Sequence, residues 1–128
     1  DSDRAALDKE FTELKSEIDR ISTDTTFGGE TLLDGGYDAD YQVGADANQT
    51  IQLKITTNMN TTGLAISGVT LSSAANAQLA ITALDNALST VNSVRADLGA
   101  KQNRFSSTIR NLENVSENVS ASKSRIMH

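Results

Sequence analysis

Residues 77–126 read AQLAITALDNALSTVNSVRADLGAKQNRFSSTIRNLENVSENVSASKSRI. One position recurs every seven residues through them: Ala77, Leu84, Val91, Leu98, Phe105, Leu112, Val119 and Ile126, all apolar. The companion position is Ile81, Leu88, Arg95, Gln102, Ile109, Ser116 and Lys123, apolar at three of seven places, with Val94 and Val115 flanking two of the gaps. An apolar period of seven held for this long marks an α-helix that lays a narrow seam against partners. Ser72 or Ser73 can cap its start. The chain contains no proline, which fits long unbroken helices. Near 50 residues at ~1.5 Å rise make a helix of roughly 75–80 Å. A compact chain of this length would have a radius of gyration of only about 14 Å. The reading is therefore a mainly α protein: an elongated antiparallel helical rod whose long C-terminal helix covers 73–126.

A shorter N-terminal helix is expected over 1–22, capped by Ser2 or Asp3. Leu7, Phe11, Leu14, Ile18 and Ile21, spaced 4, 3, 4 and 3, form its apolar stripe. Arg4/Asp8, Lys9/Glu13 and Lys15/Asp19 read as four-apart ion pairs on its solvated side, each contributing at most a few tenths of a kcal/mol. The threonines from Thr23 and the Gly28-Gly29 pair end it. Residues 27–73 then hold a turn, a small β-hairpin and a connector. Asp34-Gly35-Gly36 signals the turn. Tyr41-Gln42-Val43 and Ile51–Ile55 alternate as two strands joined by Gly44 to Thr50. Thr56–Ser73, rich in Thr, Asn and Gly, carries no periodicity that assigns it.

The first helix covers roughly 30 Å and a hairpin about 20 Å more. Some tens of Å of the long seam thus lack a partner in the sequence, and exposed apolar surface of that extent marks an interface. Another segment of the same protein, or other subunits, would cover it; the alternative is an ordinary helical hairpin with a frayed tail. Alone, such a chain is expected to self-associate, most simply as a two-fold dimer.

The 128 residues include 11 Lys+Arg and 17 Asp+Glu, a net charge of −6. That balance disfavours nucleic acid and anionic membranes as partners. There is no cysteine, and the one histidine is His128, so disulfides, thiol chemistry, histidine triads and histidine-rich metal sites are excluded within one chain. No apolar run reaches membrane-spanning length. Asp34, Asp38, Asp40 and Asp46 crowd one region, and Asp46–Thr50 begins like a calcium loop. Ile51, however, stands where the turn glycine is needed and Thr57 where the bidentate glutamate belongs. A solvated turn is the better reading. Gly28-Gly29 and Gly35-Gly36 could offer N–H groups to an anion, but no Lys-Ser/Thr follows and no helix opens there. Asp8, Glu10, Glu13, Glu17 and Asp19 read as the wet face of an amphipathic helix rather than paired acids. No catalytic, cofactor or metal site is expected. Asn48, Asn60, Asn114 and Asn118 match the N-glycosylation pattern. Gly99, beside Leu98, suggests close approach of a neighbouring helix against a cost of about 1 kcal/mol relative to Ala; a tolerated glycine is the alternative. Arg95, Gln102, Ser116 and Lys123 are either surface or register-setting polar residues.

Three blocks of this sequence resemble bacterial flagellin. The first is Glu17-Ile18-Asp19-Arg20-Ile21 with Thr26-Phe27-Gly28-Gly29 and Leu32-Leu33-Asp34-Gly35. The second is Tyr41-Gln42-Val43-Gly44-Ala45 with the following turn and strand. The third is Arg95–Phe105, running on through Ile109, Asn111-Leu112, Asn118-Val119 and Ser124-Arg125-Ile126. Thr56–Ser73 stays unmatched. The resemblance implies one rod domain over 1–128, lacking the family's terminal segments, its long first rod helix and its outer domains. A naturally short flagellin and a deletion are both open, and His128 could begin a tag. The implied function is a structural subunit of the flagellar filament, secreted, extracellular and not an enzyme. Its packing residues would be Leu7, Phe11, Leu14, Ile18, Leu84, Leu88, Val91, Leu98, Gly99, Phe105, Ile109 and Leu112. Implied partners are other flagellin subunits, the export chaperone and the filament cap. Toll-like receptor 5 would be met through Leu84, Leu88 and Arg104, weakly, because most of that surface lies on the absent helix. Flagellins are often O-glycosylated as well. The hook–filament junction protein shares the rod architecture, though the 27–35 block favours flagellin. A signalling coiled coil would show matched helices without strands.

Overall fold

In the computed structural model, residues 2–44 and 46–127 are described. Helix α1 spans Ser2–Asp24. Two short strands follow, β1 (Thr26–Phe27) and β2 (Glu30–Thr31), paired antiparallel with Thr26 opposite Thr31 and Phe27 opposite Glu30. Strands β3 (Tyr37–Gln42) and β4 (Thr50–Ile55) form a second two-stranded sheet. Helix α2 runs unbroken over Ala74–Met127, 54 residues. The fold is mainly helical, with one long C-terminal helix. The chain divides into two compact units, Asp1–Asp38 with Lys54–Arg95, and Ala39–Leu53 with Ala96–His128.

The helix ends follow local chemistry. The Asn76 N–H donates to Ser73 Oγ at 3.1 Å, so Ser73 is the N-cap of α2 and Ser72 is not. Ser2 and Asp3 already lie inside α1 rather than capping it; the preceding Asp1, like Ala45 and His128, falls outside the described residues. At the other end Ser22, Thr23 and Thr25 turn their hydroxyls back onto main-chain carbonyls of Asp19 and Ile21. Such back-bonding competes with helix propagation, and Gly28 and Gly29 then take φ of +61° and +86° in the β1–β2 turn.

Two expectations are corrected. A second, minimal strand pair, β1–β2, precedes the hairpin. The hairpin's first strand also begins at Tyr37, not Tyr41. Aspartates are poor strand formers and mask the alternation, but Tyr37, Ala39 and Tyr41 point inward while Asp38, Asp40 and Gln42 stay exposed. The Asp34–Gly36 turn forms as read: the Gly36 N–H donates to Asp34 Oδ1 at 2.9 Å. Gly35 is required there, with φ of +88° and the Asn58 nitrogen 3.1 Å from where a Cβ would stand.

The unassigned connector supplies the centre of the first unit. Met59, Leu64 and Ile66 cluster with Ala87 of α2, and Ile18, Leu33, Val69, Ala83, Leu84, Val91 and Val94 pack around them. Polar side chains and main chain fold the connector tightly: Asn58 Oδ1 accepts from the Asn60 N–H, and Asn60 Oδ1 from the Gly63 N–H. The Thr61 carbonyl accepts from both Ile66 and Ser67. Ala65 sits at φ +60° in this turn. In the second unit Ile51 is buried, and the Tyr41 ring meets Phe105 edge-on, centroids 5.6 Å apart at 82°.

Candidate functional site

The chemistry of this chain lies on its helix faces. Helix α1 turns inward not the expected stripe but Arg4, Asp8, Phe11, Lys15, Ile18 and Ser22, all half-buried or buried. Phe11 and Ile18 belong to both rows. Leu7, Leu14 and Ile21 do not, and stand 55%, 62% and 45% exposed. The inward row is mostly polar because much of its partner is main chain. The Thr61 N–H and hydroxyl donate to the two Asp19 oxygens at 2.7 and 3.1 Å. The Leu71 N–H donates to Asp8 Oδ1 at 2.7 Å. The Lys15 ammonium donates to the carbonyls of Val69 at 2.7 Å and Ser67 at 3.3 Å, and lies 5.2 Å from the Phe11 ring centre. The expected Lys15/Asp19 ion pair is thus replaced by two grips on the connector. Asp8, too, serves the connector rather than only its own helix. Arg20 forms ion pairs along α1, reaching Glu17 and, at 3.3 Å, Asp24. Hydrogen bonding from Arg20, aided by its charge, holds the Glu17 carboxyl below its ordinary range.

On α2 the seven-residue row is half-buried at Ala77, Leu84, Val91, Leu98 and Phe105 and exposed beyond, and the row buried beside it is not the expected companion. Buried Ala80 and Ala87 and half-buried Val94 lie three residues after Ala77, Leu84 and Val91. Ile81 and Leu88, four residues after, are 57% and 60% exposed. Ala87 at the contact lets the connector's Met59, Leu64 and Ile66 approach the helix closely; a search for large apolar residues overlooks it and the equally buried Ala80. The signal was present as a second seven-residue spacing of small side chains. Further along, Leu98, Gly99 and Phe105 are half-buried, while Ile109 and Leu112 are exposed, as is every residue from Ile109 to Met127. A Cβ on Gly99 would meet nothing within 4 Å, so among the described residues no neighbour requires that glycine. Arg104 is exposed and Leu84 half-buried. Among the described residues no group of acidic or histidine side chains could hold a metal ion.

Comparison with known proteins accounts for both ends. Residues 1–38 match the bacterial flagellin N-terminal helical region and residues 81–128 the bacterial flagellin C-terminal helical region. A flagellin of Halalkalibacterium halodurans is 41% identical across 98% of this chain and 47% of its own length. The flagellar filament 30.7 kDa core protein of Treponema maltophilum is 34% identical across 98% of this chain and 50% of its own. The crystal structure of Bacillus cereus flagellin superposes with a TM-score of 0.73 at 33% identity, covering 86% of this chain and 64% of that one. The chain belongs to the bacterial flagellin family. It spans about half the length of these curated relatives.

Proposed function

We propose that this chain is a structural, non-enzymatic subunit of the bacterial flagellar filament, polymerising through helix packing and secreted to the cell exterior. The observation that carries the reading is the pair of outward apolar rows: Leu7, Leu14 and Ile21 on α1, and Leu112, Val119 and Ile126 on α2. Surface of this kind, continuous along helices, is what neighbouring helices cover, and family membership supports other flagellin helices as the cover. The same rows make the isolated chain self-associate, which sedimentation reads directly. Among the described residues no helix is long and apolar enough to cross a membrane, and the net charge of −6 disfavours nucleic acid. Export chaperone and filament cap are partners of the same reading. Contact with Toll-like receptor 5 would rest on Leu88 and Arg104 more than on Leu84, which packs against the connector.

The test is to supply a flagellin-null strain with the full-length protein carrying Leu14→Asp or Leu112→Asp. Both positions are exposed, so circular dichroism of the subunit stays unchanged. Straight filaments are lost, because an unpaired carboxylate in a packed interface costs several kcal/mol. Wild-type filament yield in both variants would overturn the proposal.

A further inference from the structure

Helix α1 and the connector are joined by means unlike those joining the connector to α2. The connector meets α2 through apolar side chains: Met59, Leu64 and Ile66 close on Ala87. Hydrogen bonds from Asp8, Lys15 and Asp19 join it to α1, and most of them engage main-chain atoms, those of Thr61, Ser67, Val69 and Leu71. Only Ile18 of α1 packs against the apolar cluster, while Leu7, Leu14 and Ile21 face away. A hydrogen bond exchanged for water on separation regains much of its energy from the solvent, even where one partner is charged. Apolar burial has no such substitute and is lost in full when two surfaces part.

We propose that Asp8, Lys15 and Asp19 form a polar clasp through which α1 docks on and releases from the connector as one body, while the connector stays seated on α2. The gripping residues span three turns of α1, roughly 16 Å, so the helix lets go along its length instead of peeling from one end. Beyond its C-terminus the Leu32 N–H donates to the Thr25 carbonyl at 3.0 Å, tethering the chain there. Release opens Thr61 to water. Removing Asp19 by substitution instead leaves the Thr61 N–H and hydroxyl buried without their acceptor, the costlier outcome.

Hydrogen exchange of the 128-residue chain, read by NMR, tests this. The α1 amides from Leu7 to Ser22 are expected to exchange through one common opening, at least tenfold faster than those of Ile66 and of α2 residues 80–94. Asp19→Ala speeds the α1 group about tenfold more and leaves 80–94 within twofold. Lys15→Met, which strands no buried donor, moves α1 in the same direction and serves where Asp19→Ala does not fold. Progressive fraying of α1 from Ser2, a single rate shared by α1 and residues 80–94, or variants that speed both groups equally would overturn the clasp.

Discussion

Helix α2 carries one seven-residue repeat along its whole length, yet its two ends lead different lives. Near the start, Ala77, Leu84 and Val91 are half-buried and their neighbours Ala80 and Ala87 are 1% and 6% exposed. Near the end, Leu112, Val119 and Ile126 are 49%, 62% and 86% exposed. The repeat is equally apolar in both stretches, so apolarity does not separate them. What differs is the company each keeps. The first stretch has small residues beside the seam and a connector folded onto one of them, Ala87. The second has Val115, Ser116, Glu117 and Asn118 around its seam and no covering segment among the described residues. A heptad seam states that a helix wants partners and is silent on whether its own chain provides them.

The largest effect that sharpens this contrast is a pair of truncations. Ile66→Ala, at 1% exposure, is expected to cost ~2–5 kcal/mol, whereas Leu112→Ala stays within about 0.5 kcal/mol in the dissociated chain. Urea titration reads both, and equal losses would erase the distinction between the two stretches. A gain of about 1 kcal/mol is expected from Gly99→Ala, a helix-interior glycine with open space around it. If filament yield then falls while the chain melts higher, the glycine serves a neighbouring subunit; unchanged yield makes it merely tolerated. In the connector, Ala65 sits at φ +60°, a conformation costing an L-residue about 1–2 kcal/mol. Ala65→Gly relieves that strain and frees the unfolded chain by about 0.4–1 kcal/mol, so a net gain near ~0.5 kcal/mol should appear as a slightly higher Tm. A lower Tm would mean that Ala65 carries no strain for the glycine to relieve. The smallest effect lies at the exposed Arg20 pairs. Because the folded Glu17 pKa is lowered by Arg20, its small contribution is present above the ordinary glutamate pKa and fades as pH falls through the lowered value. Arg20→Ala should return the Glu17 titration, followed by NMR, to its ordinary range with scarcely any change in melting.

Much of the architecture was legible before any coordinates. The period of seven with no proline announced one long C-terminal helix, since backbone geometry ties that period to a helix. Asp34-Gly35-Gly36 announced a turn, because few other residues adopt the conformation Gly35 takes. The flagellin blocks pointed to the family. Three things waited for the tertiary structure. Asp8, Lys15 and Asp19 looked like solvated charges, since nothing local shows that main-chain N–H and C=O groups some fifty residues away will meet them. Ala80 and Ala87 looked unremarkable beside Ile81 and Leu88, because small size becomes valuable only when a particular partner must approach. The connector had no period at all: its shape rests on asparagine and threonine bonds that satisfy a winding backbone, and its three buried apolar residues follow that winding rather than any helix or strand. Periodicity records where a regular element wants to bury itself. Which face is covered, and by what, is decided only when distant segments come together and satisfy one another's polar groups.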